Sequence, residues 1–132
     1  MSVKVKATLG TDKYFTQVVA GQNTLITDEP EDMGGGNRGF NPYEILATSL
    51  ASCTAATLRM YIDRKGWHIP EIHVEVELEN FPKTQNTQLI RTIDFGDIPI
   101  EEEWKTKLSK IADACPVHKI LNNPIEICTK FT

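Results

Sequence analysis

Three cysteines, Cys53, Cys115 and Cys128, carry the most available chemistry in this chain of 132 residues. An odd number at wide spacing does not make a disulfide framework. In a reducing compartment such thiols are either buried fillers or working nucleophiles. Cys53 has Ser49, Leu50, Ala56 and Thr57 as neighbours at helical spacing. There a free cysteine packs as a small hydrophobe. Cys115 precedes Pro116. If Pro116 opens a new helical turn, Cys115 is its N-cap, a position that stabilises thiolates. His118 then adds positive charge or a hydrogen bond. At this level filler and reactive thiol are both open for Cys115. Cys128 shares a face with Glu126 and Lys130 and is expected to be uninvolved. A metal site is a further reading, with Cys115 and His118 at a plausible ligand spacing and Cys53 as a third ligand.

The elements that must position these thiols can be read from periodicity. Val3, Val5 and Ala7 alternate with lysines and predict a first strand. Residues 13–20 and 24–27 predict a second and a third, with turns at Gly10-Thr11-Asp12 and Gly21-Gln22-Asn23, hence an antiparallel meander. A glycine-rich loop follows from Asp28 to Phe40. Asn41, Pro42 and Glu44 then form a capping-box-like start for a helix over 42–65. Gly66 with Trp67 predicts its stop. The middle of that helix, from Ile45 to Leu58, is apolar or small nearly all round, which predicts burial on most faces. A chain this short has little material for that, so a partner chain is expected to cover it. Residues 72–79 alternate strictly, Ile72, Val74, Val76 and Leu78 against His73, Glu75, Glu77 and Glu79, as on a one-sided sheet. Leu89, Ile93 and Phe95 mark the next strand. A second helix is predicted from Pro99 to Ala114, with Glu101, Glu102 and Glu103 near its positive end. Its core stripe is Ile100, Trp104, Leu108 and Ile111, and Cys115 continues the stripe. A short turn through Leu121 and a last strand with Ile125, Ile127 and Phe131 on one face complete the order.

Hydrophobic residues make up 40% and charged residues 24%, which reads as one globular domain over 1–132. The net charge of −4, with no basic stripe, argues against a nucleic-acid partner. No targeting segment or membrane span is apparent, and a cytoplasmic location is the expectation.

The run Gly39-Phe40-Asn41-Pro42-Tyr43-Glu44-Ile45-Leu46, followed by Ala51-Ser52-Cys53-Thr54-Ala55, resembles the first signature of the OsmC/Ohr family, the osmotically inducible and organic hydroperoxide resistance proteins. Leu58-Arg59-Met60-Tyr61 and Arg64-Lys65-Gly66-Trp67 resemble its continuation in one branch of OsmC-like proteins. Cys115-Pro116-Val117-His118 resembles the second cysteine signature. The resemblance implies an α+β fold of order β-β-β-α-β-β-α-β. It implies an intertwined homodimer in which the long helix is buried at the centre and antiparallel sheets wrap around it. It also implies a thiol peroxidase that needs no metal, flavin or other cofactor. Cys53 as thiolate would attack the hydroperoxide and become a sulfenic acid. Cys115 would resolve it to a disulfide. A dithiol, lipoyl-based in members of the family, would restore both thiols.

Family peroxidases stabilise the attacking thiolate with an arginine and a glutamate. This chain departs from that pattern. Tyr43 stands where the glutamate directly follows the Asn-Pro pair, and Glu44 comes one later, about 100° further around the helix. Glu44 is thus either a helix cap or the catalytic carboxylate. Arg38 is the candidate activating arginine, with a solvated loop charge as the plain alternative. Arg59 is expected to pair with Asp63. Phe40, Tyr43 and Met60 are candidate apolar walls for the substrate. The departures keep two alternatives in view: a binding or redox-sensing protein of the same fold with little turnover, and a structural protein whose cysteines are filler.

Overall fold

The structure, a computed structural model, describes residues 1–132. It divides into two compact units, Met1–Leu46 and Ala47–Thr132. The first holds an antiparallel meander of β1 (Lys6–Leu9), β2 (Thr16–Ala20) and β3 (Asn23–Thr27). The strand expected at Val3 starts at Lys6 instead. The ladder opens with Lys6 against Val19, and Val3 and Val5 precede it and are exposed. Tyr14 and Phe15 do not join β2 either. The Phe15 amide closes a turn onto the Asp12 carbonyl, and the Tyr14 amide donates to the Asp28 carboxylate, so neither is free for the ladder.

Asp28 organises the loop that sequence reading left featureless. Its side chain is fully buried. It accepts from the amides of Tyr14 (3.0 Å), Glu29 (2.8 Å), Gly36 (3.2 Å) and Arg38 (3.2 Å), and from the Arg38 Nε at 2.7 Å. Burial alone would push the carboxyl up, but the Arg38 guanidinium and the amides outweigh it and hold Asp28 well below the usual carboxylate range. The loop contains one 3-10 turn, Glu31–Met33, and returns to β3 through a parallel bridge between Thr27 and Phe40. Gly39 is required there, because a Cβ would run into the Ile26 carbonyl oxygen.

Helix α1 runs Pro42–Arg64, and its first five residues belong to the first unit. The capping box closes as expected. The Glu44 amide donates to Asn41 Oδ1, and the Asn41 amide donates to Glu44 Oε1, both at 2.8 Å. The helix ends in a Schellman motif. Gly66 takes φ +73°, its amide reaches the Asp63 carbonyl, and the Trp67 amide reaches that of Ile62. Arg59 pairs with Asp63 at 3.2 Å.

In the second unit α1 buries Leu50, Thr54, Leu58 and Ile62, one stripe at a spacing of four. Leu58 and Ile62 meet Ile69, Phe95 and Leu108 in the core, with Trp67, Ile93 and Ile111 packed against it. Burial all round the helix is not supplied by this chain, whose second unit offers one hairpin and α2 to cover it. Met60 is exposed on its open side. By length and hydropathy alone α1 would also suffice to cross a membrane, a point that inspection of the sequence did not register. Its stripe is packed in the core of this unit instead.

Strands β4 (His73–Phe81) and β5 (Asn86–Asp94) form an antiparallel hairpin. Its inward face pairs Val74 with Ile93, Val76 with Arg91 and Leu78 with Leu89. Helix α2 is Glu102–Asp113, starting three residues later than expected, and the short helix α3 is Pro116–Leu121. The strand expected around Ile125, Ile127 and Phe131 does not form, and these side chains are exposed. An alternating apolar segment becomes a strand only where a neighbouring edge accepts its hydrogen bonds.

Two outcomes follow. Leu58→Ala, at a fully buried site, should lower unfolding stability by roughly 2–5 kcal/mol in chemical denaturation. Asp28→Asn should lower Tm at neutral pH. A carboxylate held below its unfolded pKa stabilises above that value and loses its contribution as the pH falls through the folded one. The Tm gap between the two proteins should therefore narrow below about pH 4.

Candidate functional site

Cys53 and Cys115 come together in the second unit. Cys53 is on α1 beside the buried stripe and is partly exposed, whereas Cys115 is wholly buried between α2 and α3. Both are free thiols, close enough that each bears on the other's ionisation. Cys115 is the N-cap of α3, with Pro116 as the first helical residue. That is the turn the sequence suggested. Its side chain closes no cap hydrogen bond. The Val117 and His118 amides are nevertheless turned toward its sulfur, where negative charge is stabilised.

Each sulfur also has a threonine hydroxyl. Thr57 serves Cys53 and Thr54 serves Cys115. Both hydroxyls have a second acceptor one turn back on α1. Thr57 Oγ1 donates to the Cys53 carbonyl at 2.8 Å, and Thr54 Oγ1 to the Leu50 carbonyl at 2.7 Å. The two thiols are pushed apart in acidity. Burial pushes Cys53 up and the Cys115 sulfur pushes it further, against weaker help from the Val117 amide and Thr57. Burial acts on Cys115 in the same sense, but the Cys53 thiol, the His118 amide, Thr54 and the Val117 amide together outweigh it and hold Cys115 below an ordinary thiol.

Arg91 is the site residue that sequence reading missed. It lies on β5 with only 13% of its side chain exposed. Nη1 donates to Thr54 Oγ1 at 3.1 Å and toward the Ala112 carbonyl at 3.4 Å, and Nη2 pairs with Asp113 at 3.0 Å. The signal was present in the alternation. Leu89, Ile93 and Phe95 define the inward face, and Arg91 occupies the position between them where an apolar residue belongs. A cation at such a place needs buried partners.

Arg38 is in the first unit, committed to Asp28 and Asp12 with both ion pairs at 2.7 Å, and its guanidinium sits over the Phe15 ring at 4.9 Å. Those carboxylates hold the guanidinium well above the ordinary arginine value, with Asp12 contributing most. This is the geometry of a loop clamp. Glu44 forms the capping box. Phe40, Tyr43 and Met60 are more than half exposed, at 54%, 62% and 61%. A cavity of about 410 Å³ beside Arg91 and His118 is walled instead by Leu50, Leu89, Ile93 and Leu108, among others. Cys128 is exposed and its thiol reaches Glu126 at 3.5 Å. His118 faces Asn122 at 2.9 Å and Asp113 at 3.9 Å. No three His, Cys, Asp or Glu side chains converge on a point that would hold a metal ion.

Comparison with known proteins gives the family and the fold. The family model described as OsmC-like protein matches residues 34–130. That span contains both cysteines. Among curated proteins none matches. Among solved structures, the chain resembles a Psychrobacter arcticus protein described as an osmotic stress induced and detoxification response protein. The two are 27% identical, with a TM-score of 0.77, over 91% of this chain and 88% of the other. An OsmC-like protein from Mycoplasma pneumoniae is 21% identical, with a TM-score of 0.72, over 92% and 87%. The organic hydroperoxide resistance protein OhrB of Bacillus subtilis is 21% identical, with a TM-score of 0.61, over 92% and 91%. The latter two likenesses concern the fold.

Proposed function

The chain belongs to the OsmC-like family, and on that premise we propose that it reduces hydroperoxides, organic ones included, with Cys53 and Cys115 as its redox pair. The observation that carries this reading is the meeting of two free thiols from distant parts of the chain, one partly exposed and one buried, with amides and hydroxyls turned toward both. Filler cysteines have no need of such surroundings.

The cycle balances with no cofactor. The Cys53 thiolate attacks the outer peroxide oxygen. The O–O bond breaks, the alkoxide leaves and takes a proton to become the alcohol, and Cys53 becomes a sulfenic acid. The Cys115 thiolate then attacks the Cys53 sulfur, displaces hydroxide and forms the disulfide. An external dithiol of the lipoyl kind restores both thiols by two exchanges and leaves as its own disulfide. A cytoplasmic setting, where thiols stay reduced, suits this chemistry.

The functional unit in this reading is a homodimer. Its support is the apolar surface the single chain leaves open, including Met60 on α1 and Ile125, Ile127 and Phe131 near the C-terminus. A second reading, a binding or redox-sensing role with little turnover, draws on Tyr43 at the usual glutamate position and on Arg38 being held by two carboxylates.

Mass spectrometry of the reduced protein after one equivalent of cumene hydroperoxide separates the two. Peroxidase function predicts loss of two hydrogens, mapped to a Cys53–Cys115 crosslink. With Cys115→Ser the crosslink should vanish and a sulfenic acid should accumulate at Cys53. Thiols left unchanged by the peroxide would remove the peroxidase reading and leave the binding role.

A further inference from the structure

The two cysteines have overlapping surroundings with two differences: the His118 amide acts on Cys115 alone, and the threonine at Cys115 is the one backed by a cation. Each has a threonine hydroxyl and the Val117 amide within reach, but only Thr54, which faces Cys115, is backed by a cation. Arg91 donates to Thr54 Oγ1 at 3.1 Å. A hydroxyl oxygen that accepts a charged donor becomes a better donor itself. Its single proton has two possible acceptors, the Leu50 carbonyl at 2.7 Å and the Cys115 sulfur. Thr57, which faces Cys53, has no such backing among its bonds.

We propose that Arg91 is a positioning residue that aims the Thr54 hydroxyl at Cys115, so that in the reduced pair Cys115 carries the negative charge and Cys53 keeps the shared proton. Cys115 then serves as the base for its neighbour before it serves as the resolving thiol. When a hydroperoxide arrives, the proton passes from Cys53 Sγ to Cys115 Sγ, and the Cys53 thiolate attacks. The departing alkoxide recovers the proton from Cys115, which is again a thiolate and ready to attack the sulfenic acid. A thiol, a thiolate and a hydroperoxide thus yield a disulfide, an alcohol and hydroxide, with one negative charge on each side. The Thr54 hydroxyl turns back to Leu50 once the disulfide has consumed the charge. This scheme deepens the proposed peroxidase reading and rests on it. It also gives the pair its own route to a Cys53 thiolate in a chain with Tyr43 at the glutamate position.

The groups that bear on Cys115 come from four elements: Cys53 on α1, Arg91 on β5, Asp113 at the end of α2, and His118 on α3. Asp113 faces both Arg91 (3.0 Å) and His118 (3.9 Å), so it tempers the Arg91 charge rather than the sulfur directly.

The test is a pH titration of reduced protein carrying ¹³Cβ-labelled cysteine, followed by NMR, with signals assigned from Cys53→Ser, Cys115→Ser and Cys128→Ser. Cys115 should titrate below Cys53. Arg91→Met and Thr54→Val should each move the Cys115 titration up by about one unit, roughly a tenfold loss of thiolate relative to thiol at neutral pH. Arg91→Lys, which keeps the charge but not the fork, should fall between. If Arg91→Met does not fold, Thr54→Val and Arg91→Lys still decide. Cys53 titrating first, or a Cys115 titration unmoved by these variants while Tm alone drops, would overturn the proposal and leave Arg91 a structural brace. No peroxide enters this experiment. A pair that titrates as stated yet ignores cumene hydroperoxide would count against the peroxidase reading alone.

Discussion

A guanidinium on the inward face of a two-stranded sheet sets the terms for the second unit. Arg91 lies opposite Val76 in the hairpin, with only 13% of its side chain exposed. An ion in such a place costs several kcal/mol unless its hydrogen bonds and its charge are met. The unit meets them from two helices. Thr54 comes from the buried stripe of α1, and Asp113 with the Ala112 carbonyl comes from the last turn of α2. Satisfying one cation therefore fixes where the middle of α1 and the end of α2 stand on the sheet. Cys53 precedes Thr54 and Cys115 follows Asp113 by two residues, so the same requirement brings the two thiols together. The apolar core of Leu58, Ile62, Phe95 and Leu108 supplies most of the burial, but it is less specific about register.

The first unit solves the converse problem with a buried anion. Asp28 collects four amides and the Arg38 guanidinium, which itself reaches out to Asp12. Without that carboxylate the glycine-rich loop would have amides with no acceptor. Arg38 looked catalytic in the sequence because it is an arginine close before the helix that bears Cys53. In the first unit it pairs with Asp12 and Asp28 and closes the loop over a carboxylate that solvent does not reach.

These two findings bear on what the thiol pair can do. A peroxidatic cysteine needs a way to lose its proton and a partner that removes the oxygen it gains. The familiar clamp of arginine and glutamate is altered in this chain, with Tyr43 in the glutamate position and Arg38 paired with two carboxylates. Within the second unit the donors that bear on the sulfurs are neutral, and one of them, the Thr54 hydroxyl, is backed by Arg91. In the proposed scheme that backing separates the acidities of the two thiols without a charged group of this unit in contact with either. It therefore assigns the proton without blocking the path by which the sulfurs must bond.

Much of this was legible in the sequence, because much of it is local. Asn41, Pro42 and Glu44 opened the long helix and Gly66 with Trp67 closed it, since capping depends on residues within one turn. The hairpin face showed in the alternation of β4, and the turn after Pro116 put Cys115 at an N-cap. The family signatures tied Cys53 to Cys115, which periodicity could not. Three matters were decided only in three dimensions. A strand needs a neighbouring edge, so the C-terminal alternation stayed unpaired and β1 began only where β2 could meet it. A helix is buried only by what surrounds it, so the apolar circumference of α1 was covered along a single stripe. And a charge on an apolar face is tolerated only where distant groups converge on it. Arg91 stood in the pattern as an interruption, and its partners Thr54, Ala112 and Asp113, being remote in the chain, could be found only by folding it.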